Sequence, residues 1–285
     1  MLGEYYKEKQ VLTNKAVVGD AISLSLFISQ SSFMFAVSSN NFKNVIQIGH
    51  VTINNTLGTA QTFGEKIVFL LNNYQLAQKK FEKVIVSVLN KDFTIVPEAY
   101  SNSNDLKEFL SFSSGIAEVK NPLAHTIKNV KFCYVFDNEL VQALERVFSH
   151  AIIKHAGAIN NELFFNNHSL INDNLFLTIN DDLIEIAAKE KNDLLFYNVF
   201  NYENNEDILY YLLFMMEQFN LNPLQIKLVI SGQVQTDDSL ILSIKKYIKQ
   251  VNFVVHNPDI KLDAELQTLP KHFYFTLLNQ HLCVS

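Results

Sequence analysis

Glycine is scarce in this chain: there are eight glycines among 285 residues, well below the average usage of roughly 7%. Because glycine lets a backbone approach a phosphate group closely, the shortage predicts few phosphate-binding loops. Tryptophan is absent, whereas phenylalanine occurs 23 times and 48% of the residues are hydrophobic. This composition is typical of a folded protein with a large core.

Cysteine and clustered basic residues are also lacking. Cys133 and Cys283 form no CxxC pair, so neither a disulfide framework nor a zinc site is predicted, and we interpret both as small buried hydrophobic residues. The chain has 23 Lys and Arg against 29 Asp and Glu, a formal charge of −6, and its basic residues are scattered. These features argue against a nucleic-acid-binding surface.

Long hydrophobic runs are missing as well. The longest, "ILYYLLFMM" at 208–216, is much shorter than a membrane span and is closed by Glu217. The opening stretch "MLGEYYKEKQVLTNKAVV" is polar and has no apolar signal-peptide region. We therefore expect a cytoplasmic protein with no membrane partner.

What the sequence does contain is one order of elements, repeated. "AISLSLFIS", "SFMFAVSS" and "NVIQIGHVTIN" predict three strands in a meander. Apolar residues at helical spacing follow within 59–78, where Thr62 and Glu65 form a candidate capping box. The β-branched run "KVIVSVLN" then predicts a buried strand.

The second half repeats this pattern. "NLFLTIN", "DLIEIAAKE" and "DLLFYNVFNY" predict another meander. "NNEDILYYLLFMMEQFN" predicts a helix with Asn205 as its N-cap, and its apolar residues on nearly all sides place it between layers. "IKLVISG" predicts the buried strand, and "DSLILSIKKYIKQ" and "NFVVH" add a helix and a strand. The fold class is thus α/β, with two β-β-β-α-β-α halves.

The remaining segments set the predicted domain limits. An irregular insertion at about 91–165 contains helices near "NDLKEFLSF" and Asn138–Phe148 and strands near "AHTIKN" and "KFCYVFD". Turn formers at 165–174 divide the chain into an N-terminal half, 1–168, and a C-terminal half, 169–285. "LPKHFYFTLLNQHLC" predicts a closing helix after Pro270, whose apolar residues complete the core.

Four stretches carry a resemblance to a known family. They are "FTIVPEAY" at 93–100, "NELFFNN" at 161–167, "DLLFYNVFNYENNEDILYYLLFMMEQFNLNP" at 193–223 and "LPKHFYFTLLNQHLC" at 269–283. The chain resembles domain-of-unknown-function family 3822 of Bacteroidota. That resemblance implies a duplicated actin-like, ribonuclease H-like ATPase fold.

The resemblance also implies where a nucleotide would bind. In active members of the fold, an acid followed by glycine near the first hairpin turn of each half holds phosphates and metal. Here the first hairpin has Ser31 and Ser32 without a carboxylate, and the second has Asp181 and Asp182 without a glycine. The adenosine position keeps only Gly232. The alternative to phosphate binding is that residues 180–182 are only a hairpin turn.

No other chemistry is predicted. The eight histidines show no metal-ligand spacing, and HExxH, GxSxG and Walker motifs are absent from the sequence. We therefore expect packed or surface histidines, no catalytic residues and no metal site.

The sequence favours a non-enzymatic binding or scaffold module without a cofactor. Its protein or peptide partner would bind in the cleft between the halves, with walls formed by residues 30–32, 180–182 and 231–233. The alternative is a divergent nucleotide-binding protein that uses ATP with Mg²⁺, with metal at Asp181 or Asp182. A third hypothesis is a structural homodimer built on a Phe-rich surface.

Overall fold

The computed structural model describes residues 6–13, 22–54, 61–101, 106–116, 118–167, 170, 172 and 174–284. The strands in these ranges are β1 (Tyr6–Thr13), β2 (Ile22–Ile28), β3 (Ser32–Ser39), β4 (Asn44–Ile53), β5 (Lys83–Val88), β6 (Phe93–Pro97), β7 (Leu123–Ile127), β8 (Val130–Tyr134), β9 (Ala151–His155), β10 (Leu175–Ile179), β11 (Leu183–Glu190), β12 (Asp193–Asn201), β13 (Lys227–Gly232), β14 (Gln250–Phe253) and β15 (Lys261–Leu262). The helices are α1 (Phe63–Asn73), α2 (Leu106–Ser114), α3 (Asn138–Val147), α4 (Ala156–Asn166), α5 (Asn205–Gln218), α6 (Ser239–Tyr247) and α7 (Phe275–Asn279).

The first lobe is built on a mixed sheet. Strands β1, β4, β3, β2, β5 and β9 are neighbours in that order, and β15 lies beside β4. The meander β2-β3-β4 is antiparallel, whereas β5 is parallel to β2 and β9 is parallel to β5. Strand β2 is buried from Ser23 to Ile28, because a central strand is covered on both faces.

The second lobe repeats the arrangement of β4-β3-β2-β5-β9, and β1 and β15 are additional strands beside β4 in the first lobe. Its order is β12-β11-β10-β13-β14, with an antiparallel meander and with β13 parallel to β10 and β14 parallel to β13. In both lobes the first meander strand therefore pairs in parallel with the strand that follows the helix. The predicted α/β fold with duplicated halves is confirmed.

The second sheet is buried on both faces and joins two cores. Since side chains alternate along a strand, Leu175, Leu177 and Ile179 of β10 pack with α5 and α6 in one core. Phe176, between them, faces the core of the first lobe. The two lobes thus share an apolar layer as well as chain connections.

Helices α1 and α5 each begin at a capping motif that is visible in the sequence. Thr62 and Glu65 form the predicted capping box at the start of α1. For α5 the prediction was one residue off, because Asn204 is the N-cap and its side chain accepts from the Asp207 amide. The prediction that α5 lies between two layers is also wrong. Tyr210 is 61% exposed, so α5 has an outer face whose aromatic residues were mistaken for core residues.

The middle of the chain forms a small separate sheet, β6-β8-β7, covered by α2. The sequence predicted α2, β7, β8 and α3 to within about three residues at each end. It did not predict β1, β6 or β9. These three strands are short or lie in polar surroundings, where an alternating pattern gives little signal.

The C-terminal segment differs most from its prediction. Instead of a helix from Pro270, the chain makes turns until α7, which spans Phe275–Asn279 and is followed by a 3-10 helix, Gln280–Cys283. Strand β14 ends at Phe253, so "NFVVH" is only half strand. Residues 254–284 return to the first lobe, where β15 pairs with β4 and α7 contacts β2. The predicted core role of this segment is confirmed, since Phe275, Leu277 and Leu278 are buried.

Two composition-based predictions have structural counterparts. Cys133 and Cys283 are both buried and free, as predicted. No helix within the described residues is long and apolar enough to cross a membrane. The division of the chain at residue 168 stays a prediction.

Candidate functional site

Hydrogen bonds to Ser29 close the first hairpin, which lies between β2 and β3. The Ser29 hydroxyl accepts from the amides of Ser31 at 3.3 Å and Ser32 at 3.0 Å, and the Ser29 amide donates to the Ser32 carbonyl at 2.8 Å. These are the amides that a phosphate-holding hairpin would direct at its ligand. Here both are already satisfied within the turn.

The second hairpin, between β10 and β11, is held by hydrogen bonds from residues of the second lobe. The Asn180 amide donates to the Leu183 carbonyl at 2.9 Å, and the Tyr202 hydroxyl donates to the Asn180 carbonyl at 2.6 Å. None of residues 180–182 has a positive φ. Asn and Asp are often selected in turns because they tolerate a left-handed backbone, and this turn has no such residue. The backbone of the turn therefore does not explain the presence of Asp181 and Asp182.

The two hairpins bind each other. Ser31 Oγ donates to Asp182 Oδ1, and Ser32 Oγ donates to Asp181 Oδ2 at 2.5 Å. Ser31, Ser32, Asp181 and Asp182, which the sequence pointed to separately, are thus brought together across the lobes. We call this contact the interlobe junction: the four residues above together with Lys9 and His50.

Asp181 is the centre of the interlobe junction. His50 Nε2 lies 2.9 Å from Asp181 Oδ2, and the Lys9 ammonium bonds Asp181 Oδ1. The side chains of Asp181 and His50 are 4% and 1% exposed, whereas that of Lys9 is 43% exposed. Burial alone would raise the pKa of the Asp181 carboxyl, but His50, Lys9 and Ser32 outweigh it and lower the pKa to about 2.

Gly232 lies at the carboxyl end of β13, where it pairs with Ile179, the residue before the second hairpin turn. Its φ of +97° and the position of its missing Cβ, 2.0 Å from the Ile179 carbonyl oxygen, explain why this residue is glycine. Its amide donates to the His272 carbonyl at 3.1 Å, and Gln233 donates to the Ile179 carbonyl at 2.8 Å. The backbone structure therefore requires glycine at position 232, and the Gly232 amide is directed at the C-terminal segment.

The space between the lobes is filled by that segment. Tyr274, Phe275, Thr276 and Leu277 line, together with Gly232 and other residues of both lobes, a cavity of about 10 Å³. Such a volume holds roughly one water molecule. This volume is far below the roughly 300–1,000 Å³ of small-molecule sites.

A second polar cluster, which the sequence analysis missed, surrounds Glu185. This carboxylate is 2% exposed. It accepts from Asn160 Nδ2 at 2.9 and 3.0 Å, from Tyr197 at 2.8 Å and from Asn180 at 3.2 Å. Thr276 donates to Asn160 at 2.7 Å, which connects α7 to the cluster. The available signal was a glutamate between Ile184 and Ile186, in a strand otherwise apolar at that point.

His155 is an example of a packed histidine. His155 is buried among aromatic rings, caps α4 by accepting from the Gly157 amide at 3.0 Å, and has its pKa lowered to about 3 by burial. His168 lies outside the described residues. Among the described residues, no group of three or more His, Cys, Asp or Glu is placed to hold a metal ion.

Solved structures similar to this chain share its fold. A protein of unknown function with an actin-like ATPase fold from Bacteroides thetaiotaomicron VPI-5482 has a TM-score of 0.69 and 19% identity, covering 91% of this chain and 96% of that chain. The PilM-PilN type IV pilus biogenesis complex matches with a TM-score of 0.60 and 12% identity, covering 92% and 98%. The cytoplasmic domain of EpsL, from the type II secretion system of Vibrio cholerae, gives 0.52 and 12%, covering 93% and 95%.

At these identities the likeness establishes the fold alone, and the predicted actin-like ATPase fold is confirmed. A comparison with curated proteins gives no match. The family assignment comes from the sequence itself, because a family model matches residues 18–251, most of the chain. The chain belongs to the family described as protein of unknown function (DUF3822).

Proposed function

We propose that this protein is a non-catalytic protein-binding module on a degenerate actin-like fold. The observation that carries the proposal is the filled interlobe space, in which the two hairpins bind each other and residues 274–277 take up the room between the lobes. Phosphoryl transfer depends on positioned amides and metal around the phosphates. A site that uses its amides and carboxylates to hold itself together is poorly suited to that chemistry.

The test is a calorimetric titration of the protein with ATP and Mg²⁺, paired with a phosphate-release assay. We expect no binding heat and no turnover. Micromolar binding that requires Mg²⁺ and disappears in Asp182→Ala would overturn the proposal. Asp237→Ala, an exposed acidic position outside the interlobe junction, is the matched control, because it removes the same charge without touching either hairpin.

The second candidate function is divergent ATP binding. It is favoured by Asp181 and Asp182, two carboxylates on the hairpin where the fold would hold metal. For this function the interlobe junction would have to open and the C-terminal segment would have to leave. Titration of Phe275→Ala, which loosens that segment, therefore separates the two candidates: nucleotide binding that emerges in this folded variant supports the second.

The proposed partner is a protein. PilM occurs in a complex with PilN, and EpsL is a component of a secretion system, which supports protein binding as a use of this fold. The interlobe cleft predicted for the partner is filled by the chain itself, so we place recognition on the outer surface. Phe112 is 94% exposed and Tyr100 is 73% exposed, and exposed aromatic residues are enriched where proteins bind each other.

Site-specific photo-crosslinking tests this placement. A photoreactive phenylalanine at position 112 should give a discrete protein adduct in cells, whereas one at position 31, in the first hairpin, should give none. The reverse result would return the partner to the interlobe cleft. Position 210, exposed on α5, is the control for random contacts of an exposed aromatic side chain.

A further inference from the structure

Helices α5 and α6 lie side by side on the outer face of the second lobe. Their inner sides share one core with β10. Asn205 Nδ2 donates to Asp238 Oδ1 at 3.4 Å and to Ser239 Oγ at 3.1 Å, so the two helices begin at the same level. Each helix connects two parallel strands of one sheet, so both helices run in the same direction.

The outer stripe of α5 is aromatic in the middle and acidic at both ends. Glu206, Tyr210, Phe214 and Glu217 follow one another at helical spacing, and all four are exposed. The rings of Tyr210 and Phe214 stack with centroids 5.8 Å apart, and the two residues are 61% and 39% exposed. Helix α5 contains no basic residue. Its stripe is therefore complementary to a surface that is apolar and basic.

Helix α6 has such a surface. Leu242, which is 57% exposed, is followed at helical spacing by Lys246, and Lys249 lies just past the end of the helix. Both lysines are exposed. Within the described residues, neither lysine forms an ion pair, and neither does Glu217 of α5. The charges of both outer stripes are thus available to a second molecule.

The two stripes match along their length. Each one steps by four residues and then by three. Because the helices begin at the same level, residues at equal steps lie at heights that agree to within about 3 Å, the rise of two helical residues. The matched pairs are Tyr210 with Leu242, Phe214 with Lys246, and Glu217 with Lys249.

We propose that two copies of this chain form a dimer through this face, with α5 of each copy on α6 of the other. A two-fold axis that runs between the two helices and parallel to them produces this exchange. The matched pairs then become an apolar contact, a lysine over an aromatic ring and an ion pair, each of which occurs twice. The dimer rests on a different surface from the proposed function, so either can fail without the other.

Charge selects this axis. A two-fold axis perpendicular to the helices would place α5 antiparallel on α5, so that Glu206 of each copy faces Glu217 of the other. Two like-charge contacts would then flank the aromatic stripe. The proposed axis has one unfavourable contact of its own, because Glu206 of one copy approaches Asp238 of the other.

Sedimentation equilibrium of the full chain at micromolar concentrations measures the dissociation constant of the dimer. Glu217→Lys and Lys249→Glu should each raise it by about tenfold, because every change acts twice in a two-fold interface. The double variant exchanges the two charges and should return to within about threefold of the wild type. Phe214→Asp should abolish the dimer, whereas Phe112→Asp, at an exposed aromatic position on α2, should leave it unchanged.

Two further results test the axis. Glu206→Lys should tighten the dimer, because it replaces the like-charge contact with Asp238. A photoreactive phenylalanine at position 210 should give an adduct of twice the chain mass and none with another protein. All substituted positions are exposed, and circular dichroism confirms that the variants are folded. A wild type that stays monomeric, a dimer that Glu217→Lys tightens, or a double variant as weak as its single variants would each overturn the proposal.

Discussion

Two polar clusters join the lobes, and they compensate a buried carboxylate in different ways. Asp181 is bonded by two groups that carry positive charge, Lys9 and His50 when protonated, and one of them reaches solvent. Glu185 is fully enclosed and accepts only from the uncharged donors Asn160, Asn180 and Tyr197. The pKa of Asp181 is lowered, whereas burial raises the pKa of Glu185 more than its hydrogen bonds lower it.

The difference assigns separate roles to the two clusters. A carboxylate with cationic partners at the rim can open into water at moderate cost, because both charges regain hydration. A carboxylate enclosed by amides and a phenol has no such route, and loss of the carboxylate leaves three buried donors unpaired. The Glu185 cluster therefore fixes the relative position of the lobes, and the interlobe junction closes their outer edge.

The largest expected effect is the loss of Glu185. Glu185→Ala leaves Asn160, Asn180 and Tyr197 without an acceptor and opens a cavity, so we expect the free energy of unfolding to fall by about 3–5 kcal/mol. Urea unfolding followed by circular dichroism measures it. Glu190→Ala, at an exposed position of the same strand, should change stability by less than about 0.5 kcal/mol. Equal effects of both substitutions would remove the special role of Glu185.

Loss of Asp181 should cost less. Asp181→Ala removes the acceptor of Ser32, His50 and Lys9, but Lys9 can return to solvent, so we expect a loss of about 2–3 kcal/mol. The same urea titration measures it, with Asp237→Ala as the surface control. A loss larger than that of Glu185→Ala would reverse the comparison between the clusters.

The sheets and most helices follow from local sequence. Period-two alternation located the two meanders, and Thr62 with Glu65 marked the start of α1. Local sequence failed where tertiary position decides the outcome. The aromatic side of α5 is exposed, and α7 is held to five residues because Tyr274, at a φ of +56°, interrupts the helix before Phe275. Alternation could not reveal β9, because it has five residues and only His155 among them is buried.

The site was predicted only in part, because its bonds connect residues far apart in sequence. The positions of Ser31, Ser32, Asp181 and Asp182 on two hairpins followed from the repeat, but a pattern within one hairpin cannot show that Ser31 donates to Asp182. Lys9 was missed because β1 was not predicted. The role of the C-terminal segment was missed because its position between the lobes depends on the packing of both sheets.

The two carboxylates should respond to pH in opposite directions. The folded pKa of Asp181, about 2, lies below its ordinary value of 3.8. Its contribution to stability is therefore complete above about pH 4 and is lost as pH falls through 2, a change of roughly 2 kcal/mol. The difference in unfolding free energy between the wild type and Asp181→Asn should show this loss. A difference that stays constant from pH 5 to pH 2 would contradict it.

For Glu185 the sign is reversed. Its folded pKa lies above the ordinary value of 4.5, so its contribution is complete below pH 4.5 and is lost as pH rises through the folded pKa. Compared with Glu185→Gln, which does not titrate, the wild type should lose stability as pH rises above 4.5. A loss in the acidic direction instead would mean that Glu185 is held as a carboxylate by its donors, in the same manner as Asp181.

The smallest expected effect comes from Tyr274, which lies between the clusters. Its ring packs edge-on against His50, with centroids 5.9 Å apart, and its hydroxyl donates to Gln10 at 2.9 Å. Tyr274→Phe keeps the ring and removes one hydrogen bond, so we expect a loss of about 1 kcal/mol.

Burial and the Asp181 charge raise the Tyr274 pKa, so the hydroxyl stays protonated and the loss should be the same at pH 3 and pH 8. Tyr210→Phe, at a 61% exposed position, should have no measurable effect. A Tyr274→Phe loss that shrinks between pH 4 and pH 2 would show that this hydroxyl is coupled to Asp181, and the C-terminal segment would then belong to the interlobe junction rather than to the Glu185 cluster alone.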